Sequence, residues 1–472
     1  MLTLADVIEA LTGVRPIGAT PGISDGVVDS RLAIPASLFV AIKGNRTDGH
    51  QYVSHAFANG ARFALVQHEI DPSIPVVDLG KPISADHAFP PLPFALCVKD
   101  TTKALQTVAA FWRRKFTTRV IGITGSVGKS TTKELTAEIL SQRYRTLKNQ
   151  GNFNNEVGLP LTLLRLGPGY DRVVLEMGFY EPGEIASLCE IAKPQVGILT
   201  NIGTVHASRA GSQETIAHGK SELVRALPPT PTGSAILNID DPFIREMANL
   251  TQAKVIYYGL DSKADLWADE IESRGLDGIH FKIHHGADAF NLQAPLIGRH
   301  SIHTILAAAA AALNEGLTWQ EIILGLQHAT SQLRLVAVKT RQGALILDDT
   351  YNASPESMLA ALNLLNELPG RKIAVLGGMN ELGQYEQLGH NKVGIRAAEV
   401  VDKLIAFQEK AQLIAAAAQK AGLPGEFIEI IDDENEVIQA LNLTLRPGDV
   451  VLVKGAHSLR MDRIVQAMEV EG

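Results

Sequence analysis

Residues Arg119 to Gln142 read R-V-I-G-I-T-G-S-V-G-K-S-T-T-K-E-L-T-A-E-I-L-S-Q. An apolar β-branched run (Val120, Ile121, Ile123) breaks into a loop holding Gly125, Gly128, Lys129 and Ser130. Leu135, Ile139 and Leu140 then share one side of a helical stretch. Strand, glycine loop, Lys-Ser and helix in that order form a phosphate cradle. Glycines let backbone N–H groups turn inward, the helix N-terminus adds partial positive charge, and the lysine reaches the outer phosphates. The spacing is not the usual G-x-x-x-x-G-K-[ST], because Ile123 stands five residues before Gly128. The tighter T-G-S-V-G-K-S, Thr124 to Ser130, replaces it. Correct elements on both sides favour phosphate binding over an ordinary strand-to-helix turn, so a nucleotide site is expected near residue 125.

The chain has 472 residues, too many for one core, and suggests about three domains at roughly 150 residues each. With 46% hydrophobic and 20% charged residues it reads as an ordinary soluble globular protein. A net charge of -8 argues against general nucleic-acid binding, which wants a basic face. The longest apolar run, Ile305 to Leu313, is far shorter than the roughly 20 residues of a membrane span. The N-terminus lacks the basic start and apolar core of a signal peptide. Cys97 and Cys189 are too few for a disulfide framework and are expected as buried thiols. A cytoplasmic protein, acting as a monomer, is the expectation.

Residues 1–115 carry a buried strand within Ser37–Lys43, the polar loop Gly44–His50, a short helix stopped at Gly60 and a further strand. A helix from Thr101 ends in Trp112-Arg113-Arg114-Lys115, read as a solvated basic helix end. Residues 116–328 alternate strands and helices, the signature of a parallel sheet covered on both faces. Beyond residue 255 the pattern turns β-like, with Gly278–His284 turning at His285-Gly286 and both histidines expected to be exposed. Residues 329–472 form another α/β unit with strands at Leu345–Leu347, Ile373–Leu376, Leu404–Phe407 and Val450–Val453.

Phosphoryl transfer needs Mg²⁺ to neutralise phosphate charge, and Mg²⁺ prefers oxygen ligands. Ser130 offers a hydroxyl, and Glu176, ending the apolar strand Arg172–Gly178, offers a carboxylate. A capping or salt-bridged role for Glu176 is the alternative, but a carboxylate ending a buried strand is costly without a partner. By physics alone His206 reads as structural, since imidazole is not a preferred Mg²⁺ ligand, and Lys220 reads as a surface lysine near a helix.

Taken together, the motifs resemble the Mur ligases, the ATP-dependent amide-forming enzymes of peptidoglycan synthesis, over essentially the whole chain. T-G-S-V-G-K-S-T-T-K-E is similar to their ATP loop, and Asn149–Pro160 to the segment that approaches the growing peptide. Leu175–Gly178, Asn201–His206 and Asn238–Pro242 match further. Three stretches point to the branch that joins D-alanyl-D-alanine to a UDP-MurNAc-tripeptide. These are Asp29-Ser30-Arg31 with Phe39–Gly44 and Thr47–His50, then Asp348–Pro355, then Val375–Gly383.

The resemblance implies an α/β fold of three domains. These are a UDP-sugar domain (1–115), a central ATP-binding domain with a P-loop ATPase-like parallel sheet (116–328), and a C-terminal Rossmann-like domain that receives the dipeptide (329–472). It implies ATP binding by Thr124, Gly125, Ser126, Val127, Gly128, Lys129, Ser130 and Thr131, with Asn238, Asp240, Arg334 and Asp349. Ser130, Glu176, His206 and a carbamylated Lys220 are implied as Mg²⁺ ligands, and Lys129, Glu176, His206 and Lys220 as the catalytic set. Ser30, Arg31, Thr47, Asp48, Gly49 and His50 are implied to hold the UDP-sugar end. Asn152, Asn154, Asn155, Asn352 and Lys454 are implied to face the peptide parts.

Departures from the family fall elsewhere. His300-Ser301-Ile302-His303-Thr304 replaces H-N-x-x-N, whose asparagines lie near adenine. Leu333 precedes Arg334 where glycine is common, Gly378 stands for aspartate, and Ala456 for serine. The rival readings are an amide ligase with another acceptor and an ATPase that has lost ligation.

Overall fold

In the computed structural model, residues 1–44, 47–328 and 336–470 are described, so the Leu333-Arg334 position lies outside them. The chain divides into two compact units. The first comprises Met1–Gly122, Tyr144–Gly178 and Gly183–Val196. The second comprises Ile123–Arg143, Phe179–Pro182 and Gly197–Gly472. No helix among the described residues is long and apolar enough to cross a membrane.

The first unit holds a five-stranded parallel sheet in the order Gly26–Val27, Leu38–Val40, Phe63–Val66, Phe94–Cys97, Val76–Asp78. The inner strands are apolar on both faces, as parallel strands covered on both sides must be. The helix Val53–Ala58 follows, and Gly60 then turns the chain at φ 106°, where a Cβ would press on the Pro35 backbone.

The helix Thr101–Arg114 starts at Asp100, which accepts from Lys103 N–H. Its end corrects the sequence reading of a solvated basic cluster. Trp112 and Arg113 are buried, and Arg113 donates to the carbonyls of Ala192, Phe116 and Thr118 at 3.0, 2.8 and 2.8 Å. Burial pushes its pKa down, yet a five-donor fork is the side chain that can satisfy three buried carbonyls at once. Lys115 pairs with Asp6 at 2.6 Å. Cys189 is buried as expected, while Cys97 is only partly so.

The strand Arg119–Thr124 carries the chain into the second unit and opens into the glycine loop and the helix Lys129–Leu140. The helix Ser301–Asn314, built mostly of small alanines, packs closely on that helix. A sheet follows in the order Ser234–Asn238, Lys254–Gly259, Leu266–Ser273, Ile279–His285, Asp288–Ala294, parallel at first and antiparallel from the third strand on. His285 is exposed as expected, but His284 is not. Register sets it opposite Trp267, where the rings stack at 3.7 Å, and it bonds Asp269 at 2.8 Å.

The last sheet runs Val336–Lys339, Leu345–Asp348, Val450–Lys454, Lys372–Gly377, Lys403–Phe407, Ile428–Ile431, parallel except for its first pair. Alternate residues serve opposite cores. Leu347, Ala374, Leu376 and Leu452 enter one, while Ile346, Ile373, Val375 and Val451 enter the other. This is a doubly covered, Rossmann-like sheet. Of the strands without a sequence signal, Val76–Asp78, Thr146–Lys148, Val336–Lys339 and Ile428–Ile431 are edge strands, whereas Phe94–Cys97 lies inside its sheet. An edge needs no continuous apolar run to be stable.

Candidate active site

Two of the loop glycines carry backbone conformations that other residues resist. Gly125 has φ 150°, and a Cβ there would lie 1.9 Å from Thr200 Oγ1; Gly128 has φ 84° and leads directly into the helix at Lys129. The loop backbone is held from the end of the strand Val196–Leu199. Thr200 Oγ1 donates to Val127 O at 2.7 Å, and Asn201 brackets Val127 by accepting from its N–H and donating to its carbonyl. Ser126 Oγ accepts from Gly203 N–H at 2.7 Å. Short polar residues after a strand end thus act as a scaffold for the loop. Ser130 and Thr131 occupy the first helical turn, where N–H groups and the helix dipole favour an anion.

Two lysines converge on one carbonyl. Lys129 Nζ donates to Gly125 O at 2.9 Å and Ser126 O at 3.1 Å; Lys220 Nζ donates to the same Gly125 O at 2.8 Å. Lys220 is only 1% exposed, which corrects its reading as a surface lysine. It lies on the helix Gln213–Arg225, capped by Ser212. The preceding Gly219 lets that helix approach Phe179, since a Cβ would lie 2.1 Å from the ring. Phe179 in turn covers the Lys220 amine at 4.8 Å. Burial, reinforced by the positive charge of Lys129, holds Lys220 well below the ordinary lysine range.

His206, at φ 71°, directs Nδ1 to Glu381 Oε2 at 2.5 Å, and the edge of Tyr180 packs on its ring. Burial lowers its pKa to about 4 against the pull of Glu381, with Lys220 and Lys129 adding repulsion. A carboxylate can only accept, so Nδ1 carries the proton and Nε2 keeps its lone pair.

Asn238 and Asp240 turn their bonds into the protein. Asn238 Nδ2 donates to Thr200 O, and its Oδ1 accepts from Asp240 N–H. Burial raises Asp240, but His303 and the N–H groups of Leu260 and Asp261 outweigh it and hold the carboxyl below its ordinary value. Asp241, quoted in the motif but assigned no role from sequence, accepts from Ile202 N–H and caps the helix Pro242–Glu246. In the C-terminal sheet Lys454, 2% exposed, pairs with Asp349 at 2.7 Å and donates to Asn352 O at 2.9 Å. Ala456 N–H donates to Gly378 O, which ties together two of the positions that depart from the family.

In the first unit, Glu176 ends its strand 3% exposed. Asn154 Nδ2 donates to Glu176 Oε1 at 2.9 Å, while Asn149 brackets the Glu176 backbone. Asn155 accepts from Val157 and Gly158 N–H at the start of the helix Gly158–Leu164, and Asn152 is exposed. Ser30 is buried against His55 at 2.9 Å, and Arg31 is exposed beside Asp29. Thr47 is exposed; Asp48 caps the turn Gly49–Tyr52, and backbone N–H and ring bonds from His50 hold its carboxyl at about 2. His68 joins Asp48 and stacks on His50. This trio is a clamp on the loop and not a cation site, because His50 Nδ1 is bonded to Asp48 and its Nε2 accepts from Gln67 N–H.

Comparison with known proteins agrees with this geometry. The family models described as Mur ligase middle domain and as Mur ligase, glutamate ligase domain, match residues 123–312 and 333–457. A UDP-N-acetylmuramoyl-tripeptide–D-alanyl-D-alanine ligase of Synechocystis sp. is 37% identical over 452 residues, covering 95% of this chain and 92% of that protein. The crystal structure of MurF from Acinetobacter baumannii aligns with a TM-score of 0.83 at 31% identity, covering 98% of both chains. MurF ligase from Thermotoga maritima in complex with ADP aligns at 0.78 and 27%, again over 98% of both. A glycine loop braced by Thr200 and Asn201, in a chain that matches these ligases end to end, leaves one assignment: this chain belongs to the Mur ligase family.

Proposed function

We propose that the protein is an ATP-dependent amide ligase that joins D-alanyl-D-alanine to UDP-N-acetylmuramoyl-tripeptide, forming the pentapeptide precursor of peptidoglycan in the cytoplasm. The observation that carries the reading is the convergence of Lys129 and buried Lys220 on the carbonyl of Gly125. In this reading one lysine meets phosphate, and the other has no carboxylate among its hydrogen-bond partners in the described residues.

A carboxylate is a poor electrophile, so the terminal carboxylate of the tripeptide first attacks the γ-phosphorus of ATP. The bond to ADP breaks and an acyl phosphate forms. The dipeptide amine then attacks the acyl carbon, loses a proton and expels phosphate as the amide forms. Lys129 steadies the outer phosphates, and the loop Thr124 to Thr131 wraps them with the N–H groups from Gly128 on, since those of Ser126 and Val127 are held by Asn201. Asn238, Asp240, Arg334 and Asp349 belong to the nucleotide side of the reading. Ser30, Arg31 and the Thr47–His50 loop (Thr47, Asp48, Gly49, His50) take the UDP-sugar end. Asn152, Asn154, Asn155 and Asn352 face the peptide parts, and buried Lys454 supports Asn352 from behind through Asp349 and the Asn352 carbonyl. The division into 1–115, 116–328 and 329–472 assigns one substrate to each domain.

Each donor taken by itself has a chemistry that suits a divalent cation. Ser130 supplies a hydroxyl in the first helical turn, Glu176 a carboxylate, and His206 a lone pair on Nε2. Lys220 fits only once modified, since an ammonium cannot ligate. Its lowered pKa favours the neutral amine, which can add CO₂ with loss of a proton to give an anionic carbamate. Mg²⁺ bound there would neutralise charge on the phosphates during transfer.

The test is to incubate the protein with ATP, Mg²⁺, UDP-MurNAc-tripeptide and D-Ala-D-Ala, following phosphate release and product mass. Phosphate release that depends on the dipeptide, together with pentapeptide mass, supports the reading. Release without any peptide would mark an ATPase, and release that requires another amine would mark a ligase with a different acceptor.

A further inference from the structure

The loop after the strand Lys372–Gly377 reaches the segment that carries His206. Glu381 O accepts from Ser208 N–H at 3.1 Å, Gln384 Nε2 donates to Gly211 O at 2.9 Å, and Tyr385 OH accepts from Gln213 N–H at 3.4 Å. Gly383, at φ 52°, lies so close that a Cβ would meet Ser208 Cα and N at 2.9 Å. At the centre of this contact, two non-glycine residues in left-handed conformations, His206 at φ 71° and Glu381 at φ 63°, meet side chain to side chain at 2.5 Å. Such backbone is rare outside glycine and persists where the surroundings enforce it. The enforced feature here is a carboxylate on Nδ1 that leaves Nε2 as the ligating nitrogen.

We propose that Glu381 is the positioning residue for His206, and that docking of the 379–385 loop is what readies His206 to hold a divalent cation. The inference rests on the metal role of His206 in the proposed function. Carboxylate partners of ligating histidines fix the tautomer and the ring orientation, and their loss costs about 10–100-fold in metal affinity. Because Glu381 follows a strand of the C-terminal sheet and His206 follows a strand of the central one, the pair makes cation retention conditional on the two parts being docked. Product release after undocking would then be accompanied by loosened metal.

The experiment titrates Mn²⁺ into the full chain with ADP present, reading free Mn²⁺ by electron paramagnetic resonance, with thermal melts to confirm folding. Glu381→Ala is expected to raise the Mn²⁺ Kd about 10–100-fold. Glu381→Gln, which keeps an acceptor oxygen, should weaken binding less. Gly383→Ala, which blocks docking sterically while keeping the carboxylate, should weaken it as well. His206→Ala, alone or combined with Glu381→Ala, should set the same lower limit. Wild-type affinity in Glu381→Ala alongside weakened His206→Ala would overturn the role of Glu381 and leave the ligand reading intact. Wild-type affinity in His206→Ala would instead overturn the ligand reading, and this inference with it. Weakening by Gly383→Ala but not by Glu381→Ala would assign the effect to docking alone and refute the carboxylate.

Discussion

Lys220 and Lys454 are 1% and 2% exposed, and each follows or faces the end of a parallel sheet, yet their surroundings differ in kind. Lys454 has a carboxylate, Asp349, at 2.7 Å and a backbone carbonyl at 2.9 Å. Lys220 has the Gly125 carbonyl, an aromatic face and the repulsion of Lys129. Taking an ammonium out of water costs several kcal/mol, and a counter-ion offsets much of that. Where the counter-ion is present, the lysine is a strut. Where none stands among the described residues, the amine is held toward its neutral, nucleophilic form, which is chemistry waiting for a reagent.

The largest effect expected from this contrast is on activity. Lys220→Met should lower amide formation by about 10²–10³-fold, because the proposed function sets Lys220 at the reacting centre. Its Tm should stay equal or rise, since an uncompensated buried amine is replaced by an apolar chain. Acetate or another small carboxylate should restore part of the activity. With ¹³C-bicarbonate, a carbamate resonance should appear in wild type and in Lys454→Met but vanish in Lys220→Met. Wild-type turnover in Lys220→Met would erase the distinction between the two lysines.

Next comes stability. Lys454→Met leaves half-buried Asp349 without its partner and should cost about 1–3 kcal/mol in denaturant unfolding. The double variant Lys454→Met/Asp349→Asn should recover much of that loss. A single variant as stable as wild type would mean that Asp349 does not depend on Lys454 as a counter-ion.

The smallest effect is a pH dependence. His206 sits at about 4 in the folded protein against 6.5 for an unperturbed histidine. Below pH 6.5 the unfolded chain takes up a proton that the folded one refuses. Stability from this group is therefore complete above 6.5 and is lost as pH falls toward 4. A Tm profile should show this as an acid loss of a few degrees, with scale set by the roughly 2–4 °C per kcal/mol of larger domains. His206→Gln should lack it. In Lys220→Met the repulsion of that side chain on His206 is gone, so the folded pKa should rise, and the acid limb should still begin near 6.5 but end at a higher pH with a smaller total loss. An unchanged limb in Lys220→Met would show that the two groups do not feel each other.

Residues 119–142 carried the strand, loop and helix in one dimension, because periodicity and glycine placement are local properties. The Asn201–His206 and Leu175–Gly178 motifs were equally legible as polar groups after apolar strands. Charge and apolar-run length alone argued against nucleic acid and a membrane span. The burial of Lys220 was not legible, since it depends on Phe179 packing beside Gly219, forty residues away in sequence. Nor was the burial of Arg113, which answers carbonyls as distant as Ala192. Glu381 stood within a quoted motif, but its bond to His206 spans 175 residues and arises only when two strand ends are brought together. The sequence by itself determined the elements and the phosphate loop, because short-range sterics and hydrophobic period dictate them. Only the tertiary structure decided which lysine has a counter-ion and which does not, because desolvation and charge pairing are properties of what surrounds a side chain in space.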